Sequence, residues 1–349
     1  MAPDSSLYGL HAARTEASFS GFSAKLAVLF LISQVIFPFA AMAGSTNTGI
    51  PGALASLSLP SDSFNGEISP ENLTRPAPAN PAEGTAAVLW RNRIQIPIRE
   101  PLVKKYIRFY EGAGRKSFSA SLEKAAKCLP QMTEILQSQG VPGELVSIVF
   151  VESGFRGSSE SYRGAGGYWQ MLPATARLMG LRVNRWVDER LDPIKSTKAA
   201  AKYLRRLHDQ YDSWLLAIAA YNAGTRLICD AAGRCRVEDG KLYGRRLPAC
   251  SAVYVSKVMA AMNILRDPEK YGFRFPHFCR PTDYDPVLVT TNLSLEKVAQ
   301  WVDVPVSRLK ELNPSLRQNT MPPSSGFALR LPPGTREKFD LAYEVYSGR

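Results

Sequence analysis

The chain has 349 residues, 45% hydrophobic and 21% charged, so a largely disordered or fibrous protein is excluded and about two domains are expected. Lys and Arg number 43 against 31 Asp and Glu; the net charge of +12 favours a polyanionic partner (nucleic acid, an anionic membrane or an acidic polymer) without choosing among them. Five cysteines with no Cys-x-x-Cys pair exclude the common zinc-finger spacings.

The first element is an apolar run from Leu26 to Ala43, preceded by Lys25 and closed by Ala41-Met42-Ala43. Small residues around Met42 suit a signal-peptidase site, so residues 1–43 are read as a cleaved export signal. The alternative is a membrane anchor, because the run is just long enough to span a bilayer. Pro38 and the small residues favour cleavage. No cysteine precedes Cys128, which excludes a lipidated cysteine at the cleavage site. Residues 44–93 carry scattered Pro, Ser, Asn and Gly with little periodicity and read as a linker or arm.

A helical pattern follows. Leu122, Ala125, Leu129, Met132 and Leu136 step by 3, 4, 3 and 4, which predicts one helix face ended by Gly140. Pro142 suits a first helical turn, and Leu145, Ile148 and Val149 make the apolar face of the next helix. Pro173-Ala174-Thr175-Ala176 opens another, and helices are predicted at Ser196–Tyr211, Ser213–Asn222 and Ser251–Leu265. The C-terminal part changes character. Val287–Thr291 is β-branched and strand-like, Leu295–Val302 and Val306–Leu312 are helical, and Phe327, Leu329 and Leu331 alternate as in a half-buried strand. The expected class is mainly α, a helical domain followed by a small βααβ module.

Glu152 stands out chemically. It shares the apolar face of Leu145, Ile148 and Val149, and it ends its helix, since Gly154 and Gly157 follow. Desolvation and the negative end of the helix dipole both disfavour the carboxylate anion. A carboxyl kept protonated near neutral pH suits general acid catalysis, whereas a Glu at a frayed helix end would simply reach solvent.

Downstream residues sharpen that choice. Glu152-Ser153-Gly154-Phe155, then Ser161 through Gly164-Ala165-Gly166-Gly167-Tyr168-Trp169-Gln170, then Ala220-Tyr221-Asn222-Ala223-Gly224, occur in that order. Together with Ser251-Ala252-Val253-Tyr254-Val255 they resemble the four motifs of the lytic transglycosylases, lysozyme-like enzymes that cleave peptidoglycan. Gly140-Val141-Pro142-Gly143-Glu144-Leu145 and Arg190-Leu191-Asp192-Pro193 are similar to the membrane-bound lytic transglycosylase D branch. The resemblance implies a catalytic domain over 94–279 with Glu152 as a single catalytic acid and then base. It implies cleavage between N-acetylmuramic acid and N-acetylglucosamine, leaving 1,6-anhydromuramyl ends, with no cofactor and no metal. A lysozyme- or chitinase-like hydrolase and a non-catalytic wall-binding protein are the competing readings.

Carried over residue by residue, Ser161 and Gln170 are expected to bond sugar or orient the glutamate. Tyr221 and Asn222 are expected to shape the pocket, and Tyr254 to hydrogen-bond near the carboxyl. Tyr168 and Trp169 are candidates either for sugar stacking or for the core. Asp188 and Glu189 read as surface charges. The fourth motif departs from the family where Cys250 replaces a glutamate, and an insert from Cys229 to Cys250 precedes it. In an oxidising periplasm a disulfide is expected to close that insert.

Residues 284–334 resemble a LysM module, a fold that binds N-acetylglucosamine chains, with Leu309–Pro314 fitting and Asn292-Leu293-Ser294-Leu295 replacing the usual opening. Residues 335–349 read as a tail. The expected partners are peptidoglycan strands, with envelope proteins as a further candidate through this module, and no nucleic acid. The expected compartment is the periplasm.

Overall fold

The computed structural model describes residues 94, 100–225, 227–228, 247–275, 277–278, 283–322 and 326–348, all within one compact unit, 66–349. The segments read as an export signal (1–43) and an arm (44–93), and most of the Cys229–Cys250 insert, lie outside the described residues. Among the described residues no helix is long and apolar enough to cross a membrane.

The helical domain comprises α1 (Pro101–Glu111), α2 (Arg115–Ala125), α3 (Leu129–Ser138), α4 (Ser147–Glu152), α5 (Pro173–Leu178), α6 (Pro193–Tyr211), α7 (Trp214–Ala223) and α8 (Ala249–Arg266). The single helix predicted through Leu122 and Leu136 is two helices. Leu122, Ala125, Leu129, Met132 and Leu136 are all buried, but the chain breaks at 126–128. Pro130, in the first turn of α3, lacks the N–H a continuing helix would use and clashes with the preceding turn. Periodicity alone is blind to that break.

Capping sets the later boundaries. Asp192 Oδ1 accepts from the Ile194 and Lys195 amides, both at 2.9 Å, and Pro193 follows at the first helical position, so α6 starts three residues earlier than predicted. The Ser213 hydroxyl accepts from the Leu216 amide and starts α7. Helix α8 is the centre of the domain. Val255, Val258, Met259, Ala260, Ala261, Met262, Ile264 and Leu265 are all buried, as in a helix enclosed on nearly every side. It packs on α1, α4 and α7. It therefore holds the end of α4, where Glu152 sits, against its own Tyr254.

The C-terminal module has β1 (Asp285–Val289), α9 (Leu295–Val302), α10 (Val306–Leu312) and β2 (Phe327–Leu331). The strands are antiparallel, with Asp285 opposite Leu331 and Val289 opposite Phe327. The stretch read as a tail instead forms α11 (Arg336–Ser347), packed on α9 and β1. Its Phe339 is buried in the module core, stacked on Tyr343 with ring centroids 5.2 Å apart. Phe339 is the one buried residue of this helix, with Tyr343 half-buried beside it, too few for its period to stand out in the sequence. The mainly α class with a small βααβ module is what the fold contains, extended by this one helix.

Candidate active site

The backbone around Glu152 is unusual. Helix α4 ends on it, with Ser153 as the C-cap. Phe155, three residues on, is buried with φ 58°, a left-handed conformation costly for a bulky side chain. Its ring packs edge-on against Phe150 at 4.6 Å, which holds it there. The Ser153 hydroxyl donates to the Tyr168 carbonyl at 2.8 Å. The end of α4 is thus pinned to the glycine loop, residues 161–171.

That loop folds on itself. The Ser161 and Ala165 backbones bond at 2.8 Å, the Ser161 hydroxyl accepts from the Ala165 amide at 3.1 Å, and the Gly166 amide reaches the Met171 carbonyl at 3.0 Å. Gln170 has φ 48° and donates through Nε2 to the Ser159 and Gly167 carbonyls, at 3.0 and 2.9 Å. Gly167 has φ 80°, and a Cβ there would stand 1.9 Å from the Arg190 carbonyl oxygen. Only glycine fits this approach.

Glu152 is half-buried. Burial pushes its carboxyl up to about 7, opposed by the hydrogen bond from Tyr254 and by the positive charge of Lys257. The Tyr254 hydroxyl donates to Glu152 Oε1 at 2.7 Å. Tyr254 is itself buried, and its phenol is held well above its ordinary range by burial and by the Glu152 charge, so it remains a donor. The Tyr221 hydroxyl donates to the Trp169 carbonyl at 2.7 Å and ties α7 to the glycine loop. Its phenol is also held high, chiefly by burial and next by Glu152.

Of the residues singled out from the sequence, Glu152 and Tyr254 touch, and Tyr221 lies within their electrostatic reach. The polar groups of Ser161 and Gln170 named above hold the loop itself. Asn222 is exposed near the end of α7. Trp169 belongs to the core. It is fully buried and donates from Nε1 to Thr197 Oγ1 at 2.9 Å, so sugar stacking by it is excluded. Cys250, the last residue of the insert, is an exposed free thiol, while the insert's other two cysteines, Cys229 and Cys235, on which the expected disulfide also rests, lie outside the described residues. Among the described residues no group of three or more His, Cys, Asp or Glu is gathered as a metal site requires.

Two features escaped the sequence reading. Lys257, one turn beyond Tyr254 on α8, is the cation nearest in effect to Glu152; the three-residue spacing from Tyr254 was the available signal. Asp188 and Glu189, read as surface charges, are buried at 2% and 6% exposure. Arg190 pairs with Asp188 at 2.7 Å, and Lys195 and Arg182 pair with Glu189 at 2.7 and 3.0 Å, which is why the charges tolerate burial.

Residues 132–241 match the family described as Transglycosylase SLT domain, and residues 283–347 match that described as Lytic transglycosylase MltD, LysM-like domain. Membrane-bound lytic murein transglycosylase D of Escherichia coli K12 is 34% identical over 193 residues, 53% of this chain and 42% of that protein. Membrane-bound lytic murein transglycosylase F of Cellvibrio japonicus is 32% identical over 114 residues, 29% of this chain and 22% of that protein. The chain thus spans less than half the length of these curated relatives. A solved inactive mutant of lytic transglycosylase Slt from Pseudomonas aeruginosa is 20% identical, covering 41% of this chain and 24% of that one with a TM-score of 0.35. The Glu152 site thus lies in the segment that matches the transglycosylase SLT domain, and the βααβ module in the segment that matches the MltD LysM-like domain.

Proposed function

We propose that this protein is a peptidoglycan lytic transglycosylase that cleaves the bond between N-acetylmuramic acid and N-acetylglucosamine. The observation that carries the reading is Glu152: a half-buried carboxyl pushed up to about 7 and held by Tyr254 at 2.7 Å. Such a group is protonated often enough near neutral pH to act as an acid, yet its anion is stabilised well enough to act next as a base. The matched domain and the relatives' names support the same substrate class.

In this mechanism Glu152 gives its proton to the glycosidic oxygen as the bond breaks. The substrate's 2-acetamido group eases the positive charge at C1. The Glu152 carboxylate, steadied by the Tyr254 hydroxyl and the charge of Lys257, then accepts the proton of the C6 hydroxyl as that oxygen attacks C1. A 1,6-anhydro end forms and no water is consumed. Ser161, Gln170, Tyr221 and Asn222 frame the sugar site in this reading. The +12 charge suits an anionic envelope, and residues 1–43 would deliver the chain to the periplasm.

Mass spectrometry of sacculi digested by the purified protein tests the proposal. Anhydromuramyl products are expected. Reducing ends without anhydro sugars would assign a hydrolase instead, and no soluble products would assign a wall-binding protein. Tyr254→Phe removes a donor that favours the anion, so the Glu152 carboxyl should titrate higher still. The alkaline fall of kcat/KM should move to higher pH, while the rate at its optimum drops on the order of tenfold. An unmoved alkaline limb would show that Tyr254 does not tune Glu152.

A further inference from the structure

Residues 182–192 form a strap between the helical domain and the C-terminal module. On the module side, the Asp188 amide bonds the Ser315 carbonyl at 2.8 Å and the Arg317 amide bonds the Trp186 carbonyl at 2.9 Å. Val187 pairs with Leu316 and is buried inside the module's own apolar core. Arg330 of β2 reaches back to Asp192 at 2.7 Å, Arg317 approaches Asp188 at 3.8 Å, and Arg182 donates to the Gly326 carbonyl at 3.3 Å.

On the helical side the same strap supports the glycine loop. The Arg190 guanidinium spans three partners. Its Nε and Nη2 donate to the two oxygens of Asp188 at 2.9 and 2.7 Å. Its Nη1 donates to the Gly164 and Met171 carbonyls at 2.6 and 2.8 Å, the two ends of the turn that carries Gly167 and Gln170. Arg190 and Asp192 are 2% and 1% exposed, so removing Asp188 would leave Arg190, and removing Arg330 would leave Asp192, buried without its ion-pair partner.

We propose that the C-terminal module is a structural part of the active site: by gripping Asp188 and Asp192 it fixes Arg190, a positioning residue that holds the glycine loop in register with Glu152. This rests on the lytic reading for its consequence in catalysis, and on the strap alone for its geometry. The module then acts on the reaction whether or not it holds glycan. A loop displaced by a fraction of an ångström misplaces the sugar relative to Glu152, a cost paid mainly in kcat.

The test uses the full chain with Arg330→Leu, Arg330→Lys and Arg317→Ala. Hydrogen exchange reads the loop without substrate, through the Gly166 and Gly167 amides bonded to Met171 and Ser159. Arg330→Leu should speed exchange across 164–171 on the order of tenfold and lower kcat on the order of tenfold with KM little changed. Arg330→Lys should restore most of both. Arg317→Ala, at a more exposed contact, should give the same signature in smaller measure and carries the test if Arg330→Leu loosens the module itself. Wild-type loop exchange and wild-type kcat in Arg330→Leu, or in Arg317→Ala where the module of the first has loosened, would overturn the proposal. A wild-type protein without lytic activity would reject the lytic reading and leave the exchange measurement to judge the strap.

Discussion

Glu152→Gln should lower the rate of glycan cleavage on the order of 1000-fold while making the protein more stable at alkaline pH. The amide keeps the shape of the side chain and an acceptor for the Tyr254 hydroxyl, but it can neither give nor take the proton. The stability effect follows from the titration. In the fold the carboxyl titrates at about 7, above its ordinary 4.5, because burial disfavours the anion. A group whose folded value is raised contributes stability that is fully present below the lower value and lost as pH rises through the higher one. At pH 8 the wild type therefore holds a poorly solvated anion that the amide variant lacks. Thermal unfolding at pH 8 should favour Glu152→Gln by on the order of 2 kcal/mol, and the difference should shrink towards pH 4. Equal unfolding curves at both pH values would mean that the carboxyl is not desolvated, and the acid role would lose its physical basis.

Gly167→Ala should be the most damaging small substitution in the site. The new methyl would lie 1.9 Å from the Arg190 carbonyl oxygen, a backbone atom that no side-chain rotation can move away. The φ of 80° adds strain for any L-residue. A cost on the order of 4 kcal/mol is expected if the loop keeps its place. If the loop gives way instead, stability is recovered but Tyr168, Trp169 and Gln170 shift, and cleavage falls with them. Denaturant unfolding and kcat/KM measured together separate these results, and a variant that matched wild type in both would show that the loop does not lie against Arg190 as described.

The sequence was most informative where physics is local. Capping residues, proline positions and apolar spacing act over one or two turns, and so the boundaries near Ser213, Leu295–Val302, Val306–Leu312 and Phe327–Leu331 were readable. Glu152 was conspicuous for the same reason, as a carboxyl on an apolar face at a helix end. The missed break at 126–128 was local too, and Pro130 announced it; the regular apolar steps across the break outweighed that signal.

What the sequence by itself determined is thus the mainly helical class, the βααβ order of the module and the likeness of the motifs around Glu152. Only the tertiary structure decided which charges are buried and what answers them. Tyr254 meets Glu152 from 102 residues away. Arg330 meets Asp192 across the two modules, turning a stretch that reads as solvent-facing into the support of the glycine loop. A charged residue carries no mark of its own burial, because the cost of desolvation is settled by partners that arrive only when distant segments pack.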